Sequence, residues 1–119
     1  MIHEPRKILS LPDLPIAPTC VRVPVAMGHS VEVMVELEGD LSVDEAIRAM
    51  EATPGVVVSR SAAAFPTAHE TAGRDEVFVG RVRADPDLPR VLHFWVVADN
   101  LRKGAATNAV QIAERLIRE

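Results

Sequence analysis

The side chains able to do polar chemistry at defined points in the pattern are Arg22, His29, His69 with Glu70, and His93. Arg22 carries a planar fork of donors that fits a carboxylate, and the same fork would suit a structural ion pair with Glu32 or Glu36 on a neighbouring strand. His29 sits in the turn sequence Gly28-His29-Ser30, where an imidazole titrating near neutral pH could give and take a proton. His69 beside Glu70 reads either as a second acid/base group or as a solvated loop histidine. His93, next to Phe94 and Trp95, reads as a sheet-face or interface histidine. Arg102-Lys103-Gly104 opens the last helical segment and reads as an anion site on helix N-terminal amides or as a solvated cationic turn. His3, His29, His69 and His93 lack a His-x-x-x-His spacing, so no metal is expected. Cys20, the single cysteine, cannot make an intrachain disulfide, suits a reducing cytoplasm, and reads as a packed core thiol.

These residues need elements to hold them. Prolines at 12, 15 and 18 make 11–18 an extended connector after a short N-terminal helix. Val21, Val23 and Val25 alternate with Arg22 and Pro24, which predicts a strand over 20–25 with Arg22 on its outer face. The clearest strand is the alternation of Val31, Val33, Val35 and Leu37 with Glu32, Met34, Glu36 and Glu38. Ser42 with Glu45 forms a capping box, and Ala46, Ile47 and Met50 recur at helical spacing, so a helix is expected over 43–52, stopped by Pro54-Gly55. A short strand at 56–58, a loop over 59–72, and a hairpin of 77–83 with 91–98 follow. Ala105, Ala109, Ala113 and Ile117 recur every fourth residue, which predicts an amphipathic, closely packed helix over 102–118. The order implies an α+β domain, a single mixed or antiparallel sheet with helices on one face. Met34, Trp95 and Val96 then leave apolar side chains on both faces, and the uncovered face is expected to pair two copies as a homodimer.

Residues 1–119 fit one domain, long enough for a core but too short for a cofactor domain and a substrate domain together. A formal net charge of −4 gives no electrostatic case for nucleic acid. The longest apolar runs fall far short of the roughly 20 residues of a membrane span, and the charged N-terminus lacks a signal core. A cytoplasmic protein acting on a small molecule is the expectation.

Three segments carry a resemblance. The first is Arg6-Lys7-Ile8-Leu9 with Pro18-Thr19-Cys20-Val21-Arg22-Val23-Pro24-Val25 and Gly28-His29-Ser30. The second is Gly73-Arg74-Asp75-Glu76 with Val79-Gly80-Arg81, and the third is Ala98-Asp99-Asn100-Leu101-Arg102-Lys103-Gly104-Ala105-Ala106 with Asn108. In this order they cover nearly the whole chain, which resembles the C-terminal catalytic and dimerisation domain of bacterial aspartate-semialdehyde dehydrogenases. The resemblance implies that Arg22 binds the substrate carboxylate, that His29 is the acid/base catalyst, and that Asn100 lies against the nicotinamide end of NADP. It also implies that the nucleophilic cysteine and most of the NADP site belong to a nucleotide-binding domain, so Cys20 is not that nucleophile and NADP is expected only with a complementing domain.

The chain departs from the family in places. The substrate-contacting Glu and Lys would fall before Met1; Ala26 and Met27 replace bulkier or polar residues; and Phe65-Pro66-Thr67-Ala68-His69-Glu70 replaces Tyr-Pro-Thr-Pro-Leu-Asp. Ala26, Met27, His69 and Glu70 are therefore candidate pocket residues, with a smaller side chain at 26 widening the pocket. Two functions compete. One is a stand-alone enzyme doing non-redox acid/base chemistry, as an isomerase, cyclase, dehydratase or hydrolase. The other is a non-catalytic dimerisation module or a fragment of the NADP-dependent dehydrogenase.

Overall fold

The computed structural model describes residues 1–118. Its elements run α1 (His3–Ile8), β1 (His29–Glu36), α2 (Val43–Glu51), β2 (Val56–Val58), α3 (Ala68–Thr71), β3 (Val77–Ala84), β4 (Val91–Ala98), a π-helical turn (Arg102–Ala106) and α4 (Thr107–Arg118). The four strands form one sheet in the order β1-β4-β3-β2. β4 pairs antiparallel with both β1 and β3, while β2 runs parallel to β3, so the sheet is mixed and the domain is α+β, as its pattern implies. The near-continuous apolar run of β4 suits a central strand, with Val91, Leu92 and Val97 all buried. Register puts Glu32, Trp95 and Gly80 on one face and Val31, Val96 and Val79 on the other.

The capping box of α2 forms as its spacing requires. Ser42 Oγ accepts from the Glu45 N–H at 3.3 Å, and the Glu45 carboxylate accepts from the Ser42 N–H at 2.9 Å. Ala46 and Ile47 enter the core where α2 packs on β2 and β3. On the sheet face that carries Trp95, the chain crosses close above Gly80. A Cβ there would meet Pro66 Cδ at 2.7 Å, and Trp95 Nε1 donates to the Pro66 carbonyl at 3.0 Å.

Three expectations need correction. Residues 20–25 form no strand; Val21 is 77% exposed, and the Val25 N–H closes a three-residue turn on the Val23 carbonyl at 2.9 Å. Pro24 lacks the N–H that a ladder would use and bends the chain into that turn. Cys20 follows it to the surface, its thiol against Met1 Sδ rather than in the core. The last helix begins with a π-helical turn, and α4 buries none of its residues, leaving Val110, Ile112, Leu116 and Ile117 exposed. Its periodicity is helical as expected, but its apolar stripe does not pack on this sheet. Among the described residues, no helix is long and apolar enough to cross a membrane.

Candidate functional site

His29 opens β1, paired with Ala98 at the end of β4, and its side chain is exposed. The preceding Gly28 has φ +92°, a conformation that other residues enter at a cost. The turn is also tightly enclosed, since a Cβ on Gly28 would lie 3.3 Å from the Ala98 carbonyl and 3.4 Å from Ala68 Cβ. Across 72 residues of sequence, Asn100 Oδ1 accepts the Gly28 N–H at 2.9 Å.

The neighbouring Asp99 does the same for a second turn. Its buried carboxylate accepts from the Gly73 N–H at 2.8 Å and from the Leu101 N–H at 2.9 Å. The Gly73 amide above all, and then those of Leu101 and Arg102, hold the carboxyl below the usual aspartate range against the opposing effect of burial. Gly73 has φ +78°, so the pair Asp99-Asn100 anchors two left-handed glycine turns from the end of one strand. Asp99 appears in the sequence only as part of a motif. The signal that could have singled it out is an acidic residue directly following an apolar central strand, where it must find buried donors.

Arg22 lies on the exposed segment before this turn and has no hydrogen-bond or ion-pair partner among the described residues. Of the two readings of Arg22, the ion pair with Glu32 or Glu36 does not form. Glu32 instead meets His93 Nδ1 at 3.0 Å and Arg83 Nη2 at 3.6 Å.

Pro24, Val25, Ala26 and Met27 face Ala68, His69 and Ala72 across a cavity of about 250 Å³. It brings together Ala26, Met27 and His69 in largely apolar surroundings. Neither Arg22 nor His29 lines it. Glu70 does not line it either. Its carboxylate accepts from the Thr67 N–H at 3.1 Å and the Thr67 hydroxyl at 2.7 Å, making the capping box of α3. Thr67-x-x-Glu70 was a legible helix-start signal inside what the sequence reads as a loop. A wider hollow of about 400 Å³ between His3, Arg6, Lys7, Ser10 and Pro12 includes none of the site residues.

At the other end of the motif, Arg102 Nη2 donates to Asp75 at 3.0 Å, and Thr107 Oγ1 donates to the same carboxylate at 3.0 Å. Arg102 first, with Thr107, holds the Asp75 carboxyl below its ordinary range. The cationic turn is thus internally neutralised at Arg102. Among the described residues, no group of three or more His, Cys, Asp and Glu is placed to hold a metal ion.

Residues 1–103 match the family described as semialdehyde dehydrogenase, dimerisation domain. The whole chain aligns with the aspartate-semialdehyde dehydrogenase of Legionella pneumophila at 52% identity and with that of Aquifex aeolicus at 47%, covering 35% and 36% of those proteins. A crystal structure of aspartate semialdehyde dehydrogenase II from Vibrio cholerae, complexed with ASA, superposes on all of this chain with a TM-score of 0.93 at 47% identity. The chain covers 35% of that structure, so it spans about a third of the length of the relatives it matches. With the family matched over most of its length and the sheet shared with a solved relative, this chain belongs to the semialdehyde dehydrogenase dimerisation-domain family.

Proposed function

We propose that the chain supplies the dimerisation surface and part of the substrate site of an aspartate-semialdehyde dehydrogenase, acting with a nucleotide-binding domain that these residues do not contain. The observation that carries this reading is the superposition, over the whole chain, on the Vibrio cholerae enzyme that was crystallised with ASA. A stand-alone enzyme doing non-redox acid/base chemistry fits less well. The family match is to a dimerisation domain, and the 250 Å³ cavity gathers neither Arg22 nor His29.

In this reading Arg22 receives the anionic end of the substrate. Its guanidinium is exposed and uncommitted among the described residues, which suits a fork that must be free to take a carboxylate. His29 holds and moves the proton, from a fixed position at the first residue of β1. The described residues do not themselves fit NADP. Asn100 Oδ1 is taken by the Gly28 amide, Arg102 is paired with Asp75, and no Gly-rich strand-turn-helix is present among them. The apolar strand surface, including half-exposed Val31 on the edge strand, is the proposed contact between two copies.

The test is reconstitution. Co-expression with the nucleotide-binding portion of a relative should give semialdehyde dehydrogenase activity that this chain lacks alone. Activity of this chain by itself on a small carbonyl compound, without NADP, would overturn the reading.

A further inference from the structure

We infer that Asn100 is a positioning residue for His29, acting through the Gly28 turn. The inference rests on the assignment of His29 as the acid/base group. His29 is exposed, so its placement comes through its backbone rather than through packing around the ring. Three constraints meet on that backbone. Gly28 holds φ +92°, His29 pairs with Ala98 in the ladder, and the Gly28 N–H is bound by Asn100 Oδ1 at 2.9 Å.

The first two leave the entry to β1 incompletely fixed. A glycine with positive φ has access to several backbone wells, and the first pair of an edge strand is where a ladder frays. The Asn100 bond selects one of these states. Its direction follows from chemistry, because an amide N–H can be met only by the oxygen end of the carboxamide. Asn100 lies just past the end of β4, one of the two inner strands, and Asp99 beside it is fully buried and fixed to Gly73 and Leu101. The anchor for the His29 turn therefore sits next to a buried, hydrogen-bonded residue at the end of an inner strand. With Oδ1 committed, the Nδ2 donors have no partner among the described residues, so the same bond sets the direction in which they point.

The experiment is amide exchange and histidine NMR on the chain itself, comparing the wild type with Asn100→Ala, Asn100→Leu and Asn100→Asp. In Asn100→Ala the Gly28 amide should exchange about tenfold faster, as expected for loss of one part-buried hydrogen bond, and the His29 ring signals should shift. Buried Val97 should keep its protection. Asn100→Asp retains an acceptor oxygen at the same place and should restore both signals. If Asn100→Ala fails to fold, Asn100→Leu keeps the volume without the acceptor and reads the same amide. Unchanged Gly28 exchange and unchanged His29 signals in a folded acceptor-less variant would overturn the inference, as would failure of Asn100→Asp to restore them. These signals need no turnover. They stand or fall separately from His29 catalysis, which His29→Asn tests in the reconstituted enzyme.

Discussion

Nε2 of His93 lies 2.8 Å from Oδ2 of Asp85, with both side chains only 16% exposed. The other ring nitrogen, Nδ1, lies 3.0 Å from Glu32 Oε1. A neutral imidazole has one N–H, so satisfying both carboxylates requires the imidazolium. Asp85 first and Glu32 second raise the His93 pKa above its ordinary value, with Arg83 opposing. The ring thereby ties β1, β4 and the turn after β3 into one charged cluster.

Stability should depend on pH through this cluster. A raised histidine pKa gives a contribution fully present below the unfolded value of about 6.5 and lost as pH rises through the higher folded value. Asp85 has the opposite sign. Its carboxyl is held down by the Asp87 amide first, then by His93 and the Leu88 amide, so its share is present above the unfolded value near 3.8 and lost as pH falls through the folded one. Thermal melts should give a higher Tm near pH 5.5 than near pH 8.5. His93→Gln should flatten that difference, and an unaltered slope in the variant would count against the cluster as its source.

Gly80→Ala should destabilise the domain by about 1–3 kcal/mol, the usual cost of forcing extra volume into a tight contact. The new methyl would sit 2.7 Å from Pro66 Cδ and 3.3 Å from Phe65 Cβ. Urea unfolding followed by the fluorescence of Trp95, whose indole is bonded to Pro66, measures the loss and the displaced loop together.

Ser42→Ala removes the hydroxyl that accepts the Glu45 amide and should cost about 1 kcal/mol. Asp99→Ala should lower Tm by more than that, because it leaves the Gly73 and Leu101 amides without their buried acceptor. Equal Tm losses for the two variants would mean that water replaces Asp99.

In the reconstituted enzyme His29→Asn should lower kcat by roughly 10² to 10⁴, the span for a positioned acid or base. Arg22→Lys keeps the charge but loses the fork, so it should raise KM more than it lowers kcat. Full activity of His29→Asn would remove the histidine from the chemistry.

Light scattering on the chain should give a mass twice 12.9 kDa at micromolar concentration. Replacing Val31, 41% exposed on the edge strand, with Glu should shift the population toward monomer. A monomer throughout the concentration range would exclude the sheet surface as a sufficient interface.

Short-range chemistry was legible in the sequence. The alternation in Val31–Leu37, the Ser42-x-x-Glu45 box and the apolar run of β4 each encode their element, because strand pleat, helix pitch and capping are set by residues a few positions apart. Arg22, His29 and Asn100 stood out through the family motifs that contain them, which the resemblance supplied rather than strand pleat or helix pitch. The sequence could not say that Val21, Val23 and Val25 alternate without joining a strand, or that the apolar stripe of α4 finds no seat on this sheet. Alternation states only that a face could be buried; a strand also needs a neighbour to pair with, and a helix needs a surface to cover. Only the tertiary structure brings Asn100 to Gly28 across 72 residues and places His93 between Glu32 and Asp85. Those bonds depend on strand order and register, which are decided when the whole sheet minimises its unpaired polar groups and exposed apolar surface at once.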